Sequence, residues 1–196
     1  MKFNEFYSLT IVHSRDIILV KGVDYMNITK QKSQKTFDKQ AADYDTNIQG
    51  EHARKLYKPI IENLKNKNIH SILDLGCGTG ALLKEIKELN IAEQLFGIDI
   101  SPNMLEIAEN KLGNDATLIL GDSERLPFED SSFDAIVCND SFHHYPQPDI
   151  VEKEVSRCLK QNGVFIIGDC WQPIGARQIM NYYMKHSNSG DVKIYS

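Results

Sequence analysis

A glycine-rich stretch after a short apolar run carries the clearest chemical signal in the chain. The run covers residues 71–75, and the stretch after it reads Gly76, Cys77, Gly78, Thr79, Gly80. Glycine has no Cβ atom, so such a loop lets backbone N–H groups approach a ligand closely. With Ala81 the loop also satisfies the dinucleotide fingerprint G-x-G-x-x-G/A. It predicts a nucleotide-type ligand, and a tight strand-to-helix turn without a ligand is the alternative.

Two acidic positions further along the chain fit an adenosine group. Asp99 lies 23 residues after Gly76, at the predicted end of the next strand, where a carboxylate can accept hydrogen bonds from both ribose hydroxyls. It could instead cap the following helix, but Ser101 already stands at the capping position. Asp122 follows the third predicted strand and suits an adenine amino group, with a plain polar loop as the alternative.

Asp74 distinguishes between two kinds of cofactor. A dinucleotide loop brings a pyrophosphate to the N-terminus of a helix, and a carboxylate two residues before Gly76 would repel that anion. The same carboxylate suits a cationic ligand. S-adenosylmethionine carries a sulfonium and an ammonium group and no phosphate, so it fits this loop better than a nicotinamide cofactor does.

The elements that must hold these residues alternate between strands and helices. Helices are predicted over 51–66, 81–89, from 102 onward, 149–159 and 174–186, and strands over 71–75, 94–100, 117–120, 133–138 and 164–167. Such alternation predicts an α/β fold with a doubly wound, mostly parallel sheet. Parallel strands bring their carboxyl ends to one edge, which places the glycine loop, Asp99 and Asp122 side by side.

Composition limits the class of protein. The 196 residues suit one domain, and 41% hydrophobic residues exclude general disorder. The 22 basic and 27 acidic residues leave a net charge of −5, which disfavours a nucleic-acid partner. There is no apolar stretch long enough to span a membrane. The four cysteines lack zinc-ligand spacing, so we expect no metal and a reducing, cytoplasmic setting.

Four motifs in order resemble those of class I S-adenosylmethionine-dependent methyltransferases. They are Asp74-x-Gly76-x-Gly78-x-Gly80, the segments 99–105 and 121–128, and the strand 133–137. The group they are most similar to is that of the ubiquinone/menaquinone-biosynthesis methyltransferases, which carry a methyltransferase type 11 domain. Residues 37–45 resemble the N-terminal segment of that group, in which a tyrosine often covers the cofactor. The resemblance extends over about 37–170.

The resemblance implies a Rossmann-like methyltransferase fold, S-adenosylmethionine as cofactor and methyl transfer to a small-molecule acceptor. A base is needed only where the acceptor must lose a proton, and His143 and His144 are the candidates. The alternative is that these histidines line the pocket or cap a helix. The implied cofactor contacts are Tyr44, Asp74, Gly76, Cys77, Gly78, Gly80, Asp99, Ile100, Met104, Asp122, Ser123 and Asn139.

The chain departs from the family pattern at its C-terminal end. Only 28 residues follow Gly168, too few for the final helix and antiparallel strand pair of the seven-stranded family sheet. We therefore divide the chain into an extension over 1–36 and a C-terminally short methyltransferase domain over 37–196. The extension would hold a hairpin over 7–20, which we hypothesise docks beside the fifth strand, and a polar linker. An uncovered strand edge would favour a homodimer.

The short end also leaves alternative functions open. One is a protein that binds S-adenosylmethionine without turnover. Another is an NAD(P)-dependent oxidoreductase, against which Asp74 and the segment 121–128 argue.

Overall fold

The computed structural model describes residues 28–170, 173–185, 187 and 189–195. The hairpin expected over 7–20 lies outside these residues. Six α-helices and five strands make up most of the regular structure in the described chain: α1 over 28–40, α2 Gln49–Leu64, β1 Ile69–Leu75, α3 Ala81–Glu88, β2 Ala92–Asp99, α4 Pro102–Leu112, β3 Ala116–Leu120, β4 Phe133–Asn139, α5 Pro148–Cys158, β5 Leu159–Gly168 and α6 Ile174–Lys185. Short 3-10 helices follow α1, α4 and β4, over Ala41–Asp43, Gly113–Asp115 and Phe142–His144. None of the described helices is long and apolar enough to cross a membrane.

The five strands form one sheet in the order β3-β2-β1-β4-β5, and every neighbouring pair is parallel. This confirms the Rossmann-like fold. The order reverses direction between β1 and β4, and crevices at such switch points bind ligands beyond the carboxyl ends of the strands. Within the described chain, no strand pairs with the outer edge of β5.

Apolar side chains fill both faces of the sheet. Ile72 of β1 joins α2, α3 and α4 on one face, while the neighbouring Leu73 joins α5 on the other. Successive side chains of a strand point to opposite faces, so a central strand covered on both sides is almost continuously apolar. Burial on both faces holds the central strands β1 and β4 in place, and with them the loops that follow these strands and line the site.

Local chemistry sets the start of α4 as the sequence predicts. The Ser101 hydroxyl accepts a hydrogen bond from Met104 N at 3.2 Å, and Pro102 occupies the first turn, where its missing N–H costs nothing. This cap anchors the loop that follows β2.

The structure differs from the sequence expectations most clearly in β5 and in the N-terminal segment, whereas the ends of the other elements differ by at most two residues. The fifth strand begins at Leu159 rather than at 164, because a register shift lets the strand pass through Asn162 with a φ of 67°. The N-terminal segment is helical over 28–40, whereas a polar linker was expected there and the boundary was drawn after residue 36. Helix α1 therefore runs across that boundary.

Candidate cofactor site

A cavity opens at the carboxyl ends of the strands, under α1. It holds about 890 Å³ of open space, part of it continuous with solvent. Eleven of the twelve predicted cofactor contacts line it. The exception is Gly80, which lies in the left-handed conformation before α3 and packs against Leu112. Of the two histidines, His144 lines the cavity and His143 lies behind it. Residues predicted from their spacing along the sequence therefore surround one cavity.

The glycine loop contains one glycine in close contact with a neighbouring side chain and another that borders open space. Gly76 has a φ of 76°, and a Cβ atom there would lie 2.2 Å from the Ser141 hydroxyl oxygen, so only glycine fits. Gly78 has a φ of 52°, and a Cβ atom there would meet nothing within 4 Å. The space beside Gly78 belongs to the cavity. The loop is thus a cradle that a side chain at position 78 would partly fill.

Among the described residues, two buried side-chain oxygens at strand ends lack hydrogen-bond partners on the cavity wall, in addition to Ser33 Oγ of α1. They are Oδ1 of Asp74, at the end of β1, and Oδ1 of Asn139, at the end of β4. Burial, and then the charge of Asp99, raise the pKa of Asp74 to about 8. Unpaired buried acceptors are costly, and a cationic donor in the cavity would satisfy both of them. An ammonium group is such a donor, so the site fits S-adenosylmethionine.

Asp99 connects two of the loops around the cavity. Its carboxylate accepts a hydrogen bond from Gly78 N at 2.8 Å and another from Ser101 N at 2.8 Å. Burial raises its pKa, although these backbone bonds act in the opposite direction. Each carboxylate oxygen has a second lone pair, so Asp99 keeps acceptor capacity for a ligand hydroxyl.

The Asp122 carboxylate already accepts a hydrogen bond from within the protein. Lys30 of α1 donates to Asp122 at 2.7 Å and also contacts Glu124. Burial alone would lower the pKa of Lys30, but its bonds to the two carboxylates raise it overall. The expected contact from Asp122 to an adenine amino group would therefore share this carboxylate with a lysine. No signal in the local sequence pointed to Lys30, because it lies 92 residues away.

Helix α1 and the residues after it form the roof. Ser101 Oγ donates to Asp38 at 2.6 Å, and Lys111 Nζ donates to Asp45 at 2.7 Å. Tyr44 lines the cavity with its ring 6.2 Å from that of Phe37. Burial, and then the charge of Asp140, raise the pKa of Tyr44 to about 12, so its phenol stays protonated.

The two histidines sit at the far end of the cavity with two aspartates. His143 Nδ1 lies 2.7 Å from Asp169 Oδ1, and the backbone N–H of His143 donates to the other oxygen of that carboxylate. His144 Nδ1 lies 3.0 Å from Asp191 Oδ1. Neither aspartate is among the residues that the motifs predict. Asp169 directly follows β5, so the rule of shared carboxyl ends could have found it, whereas Asp191 has no local signal.

The fold and this pocket define a Rossmann-like protein with a cofactor site at its switch point. Comparison with known proteins narrows that class. A family model described as a methyltransferase domain matches residues 73–167. The demethylmenaquinone methyltransferase of Thermotoga maritima is 33% identical over 163 residues, which cover 80% of this chain and 71% of that protein. The chain therefore belongs to the class I S-adenosylmethionine-dependent methyltransferases, and their cofactor is S-adenosylmethionine.

Other relatives share a smaller part of their length. The demethylmenaquinone methyltransferase of Staphylococcus carnosus is 30% identical, with 74% of this chain and 62% of that protein covered. The sterol 4-C-methyltransferase of Caenorhabditis elegans is 35% identical, with 61% of this chain but 36% of that protein covered. The crystal structure of YcgJ from Bacillus subtilis has a TM-score of 0.64 at 26% identity, covering 71% of this chain and 62% of that one.

Proposed function

We propose that this protein transfers a methyl group from S-adenosylmethionine to a small-molecule acceptor. The observation that carries the proposal is the pair of unpartnered oxygens on Asp74 and Asn139, which border the glycine cradle. A phosphate-bearing dinucleotide would place negative charge beside Asp74, so this pair also argues against an NAD(P)-dependent oxidoreductase. Family membership supports the same choice.

We assign the cofactor contacts from the walls of the cavity. Asp74 and Asn139 would accept from the ammonium group, and the backbone at Gly78 would lie against the aminoacyl end. Asp99 would accept from a ribose hydroxyl while it holds the loop through Gly78 N. The apolar side chains of Ile100 and Met104 would pack on the adenine ring, and Asp122 and Ser123 would read its edge. Tyr44 and the rest of the roof would exclude water.

The shape of the cavity supports a small acceptor. Tyr44 and residues of helix α1 line the cavity, together with Asp140 and His144. When bound, S-adenosylmethionine supplies a methyl group on a strongly activating sulfonium, so alignment and exclusion of water are the main tasks left to the chain. A proton that the acceptor must lose would leave at the end where His143 and His144 lie. We also propose that α1 belongs to the methyltransferase domain, since Lys30 and Ser33 line the cavity.

Calorimetric titration with S-adenosylmethionine and S-adenosylhomocysteine tests the cofactor site. We expect micromolar binding that falls at least tenfold in Asp99→Asn and stays unchanged in Asp115→Asn, an exposed aspartate paired with Lys87. Absence of binding to the folded protein would contradict the proposal. A titration with reduced nicotinamide cofactor, followed by fluorescence, tests the oxidoreductase alternative.

Methyl transfer itself needs an acceptor screen with radiolabelled S-adenosylmethionine. Demethylmenaquinone is the first compound to try, because it appears in the names of several relatives. Cofactor binding without transfer to any acceptor in a broad panel would favour a binding protein without turnover.

A further inference from the structure

A cluster of imidazole and carboxylate groups adjoins the cavity at His144. It consists of His143, His144 and Asp191, with Asp169 behind His143. One ligand atom from each of the first three residues lies within 4.8 Å of the others. The fold brings these groups together from the short helix after β4 and from the segment 189–195.

The atoms are spaced as the ligands of one metal ion are. His144 Nδ1 and Asp191 Oδ1 are 3.0 Å apart, and His143 Nε2 and Asp191 Oδ1 are 3.9 Å apart. Ligand atoms at about 2.0–2.1 Å from a tetrahedral Zn²⁺ ion are about 3.3 Å from each other. Among the residues that the structure describes, the geometry gives His144 Nδ1 no well-formed hydrogen bond, although the Asp191 carboxylate is so near. Two lone pairs directed at a common point would give this arrangement.

A second carboxylate orients His143. Asp169 holds the Nδ1 side of the ring at 2.7 Å and also accepts from the His143 backbone N–H at 3.0 Å. With the proton on Nδ1, the lone pair on Nε2 faces the cluster. Metal-bound histidines in proteins almost always make such a bond through the other ring nitrogen.

Backbone hydrogen bonds hold Asp191 in place. The N–H groups of Val192 and Lys193 both donate to the carbonyl oxygen of His143, at 2.9 Å and 3.2 Å. The Asp191 carboxylate also accepts from Ser189 Oγ at 2.6 Å. The donor set is therefore built into the fold.

The charges in the cluster favour a cation. In the part of the chain that the structure describes, Asp169 and Asp191 form ion pairs with the two histidines and with no lysine or arginine. Neutral imidazoles would leave two partly buried negative charges uncompensated. A divalent ion on the three ligands would balance them.

We propose that His143, His144 and Asp191 bind one divalent first-row transition-metal ion such as Zn²⁺, with Asp169 as the residue that positions His143. Three protein ligands leave at least one coordination position open, the pattern of catalytic rather than structural sites. The cavity reaches the cluster at His144. If the proposed methyl transfer holds, an acceptor oxygen bound at that position would give up its proton more easily, without a histidine base.

Metal titration of the full chain tests this assignment independently of cofactor binding. Protein freed of metal with a chelator is titrated with Co²⁺, followed by its visible absorption bands, and with Zn²⁺ by calorimetry. We expect one ion per chain, and at least tenfold weaker binding in His144→Gln and in Asp191→Asn. Asp169→Asn should weaken binding about 10–100-fold. His70→Gln is the matched control, because that exposed imidazole pairs with Glu93 near the opposite ends of the strands.

The alternative ligand set is His143, Asp169 and Cys170, which Cys170→Ser removes. Loss of binding in Cys170→Ser together with normal binding in Asp191→Asn would overturn the proposal. Absence of stoichiometric binding to the wild-type chain, or full binding in both His144→Gln and Asp191→Asn, would do the same. Circular dichroism checks that each variant is folded, and the two ligand variants are independent tests.

Discussion

The unpaired carboxyl group of Asp74 should make cofactor binding depend on pH. Its pKa of about 8 in the free protein means that it is protonated at pH 6–7. An ammonium group in the site favours the ionised form, so binding should release the proton. The charge of Asp99 raises the pKa of Asp74 further, and the charge of Asp74 in turn acts on Tyr57, Cys77 and Cys138. Burial raises the pKa of the tyrosine and of both thiols, so these groups stay neutral in this range.

The size of the effect follows from the pKa. If the bound carboxyl group is fully ionised, affinity scales as 1/(1 + 10^(8 − pH)), so it rises about ninefold between pH 6 and pH 7. At pH 7 about 0.9 proton is released per ligand bound. Above pH 7 the ligand's own amino group begins to titrate, with an ordinary pKa of about 7.7–8.0, so the clean window lies below that.

Calorimetry measures both quantities. Titrations with S-adenosylmethionine at pH 6.0, 6.5 and 7.0, in buffers of different ionisation enthalpy, give the affinity and the number of protons released. Asp74→Asn should abolish both the slope and the release, and it should bind weakly throughout. Asp115→Asn should behave like the wild type. Binding without proton release, or an equal slope in Asp74→Asn, would refute the assigned role of Asp74.

Three further outcomes follow from local contacts. The pKa of Asp74 in the folded protein lies above its unfolded value, so the contribution of this carboxyl group to stability is complete below pH ~4 and is lost as pH rises to ~8. Asp74→Asn should therefore raise the unfolding free energy of the ligand-free protein at pH 8 by roughly 1–3 kcal/mol, as measured by urea titration. Gly78→Ala should weaken cofactor binding at least tenfold, as measured by calorimetry, because the new methyl group enters the cradle. At Asp134, burial favours a higher pKa, but hydrogen bonds from Ser71 and Lys160 lower the pKa to about 2. Asp134→Asn should therefore lower the unfolding free energy by about 1–2 kcal/mol at pH 7, and this difference from the wild type should disappear as pH falls from ~4 to ~2.

Each of these outcomes has a contrary result that would count against its reasoning. Equal unfolding free energies of Asp74→Asn and wild type at pH 8 would mean that ionising the buried carboxyl group of Asp74 does not destabilise the folded protein. Gly113→Ala is the control for Gly78→Ala, since it also has a positive φ and open space but lies away from the cavity. It should lose stability and keep its affinity. A stability loss in Asp134→Asn that persists at pH 2 would show that the charge of Asp134 is not the cause.

The sequence allowed prediction of the sheet and of the cofactor half of the site, for a shared physical reason. Parallel strands end at one edge, so residues in the carboxyl ends of β1, β2 and β4 must converge there. Asp74, Asp99 and Asn139 all occupy such positions, and their type and spacing were readable without any structure. The Ser101 cap and the apolar run of β1 are equally local signals, and both appear as expected.

Contacts made through tertiary packing could not be read in this way. Lys30 reaches Asp122 because α1 folds back over the cavity, and Asp191 reaches His144 because two backbone bonds attach its segment to the loop after β4. Neither contact can be predicted from the spacing of its two residues along the sequence, because a long stretch of chain separates them. The cofactor end is thus built from strand termini that the fold class fixes. The end at which we propose that the acceptor binds is built from segments that follow no spacing rule of this kind, so its chemistry depends on residues such as Asp191 that lie outside the motifs.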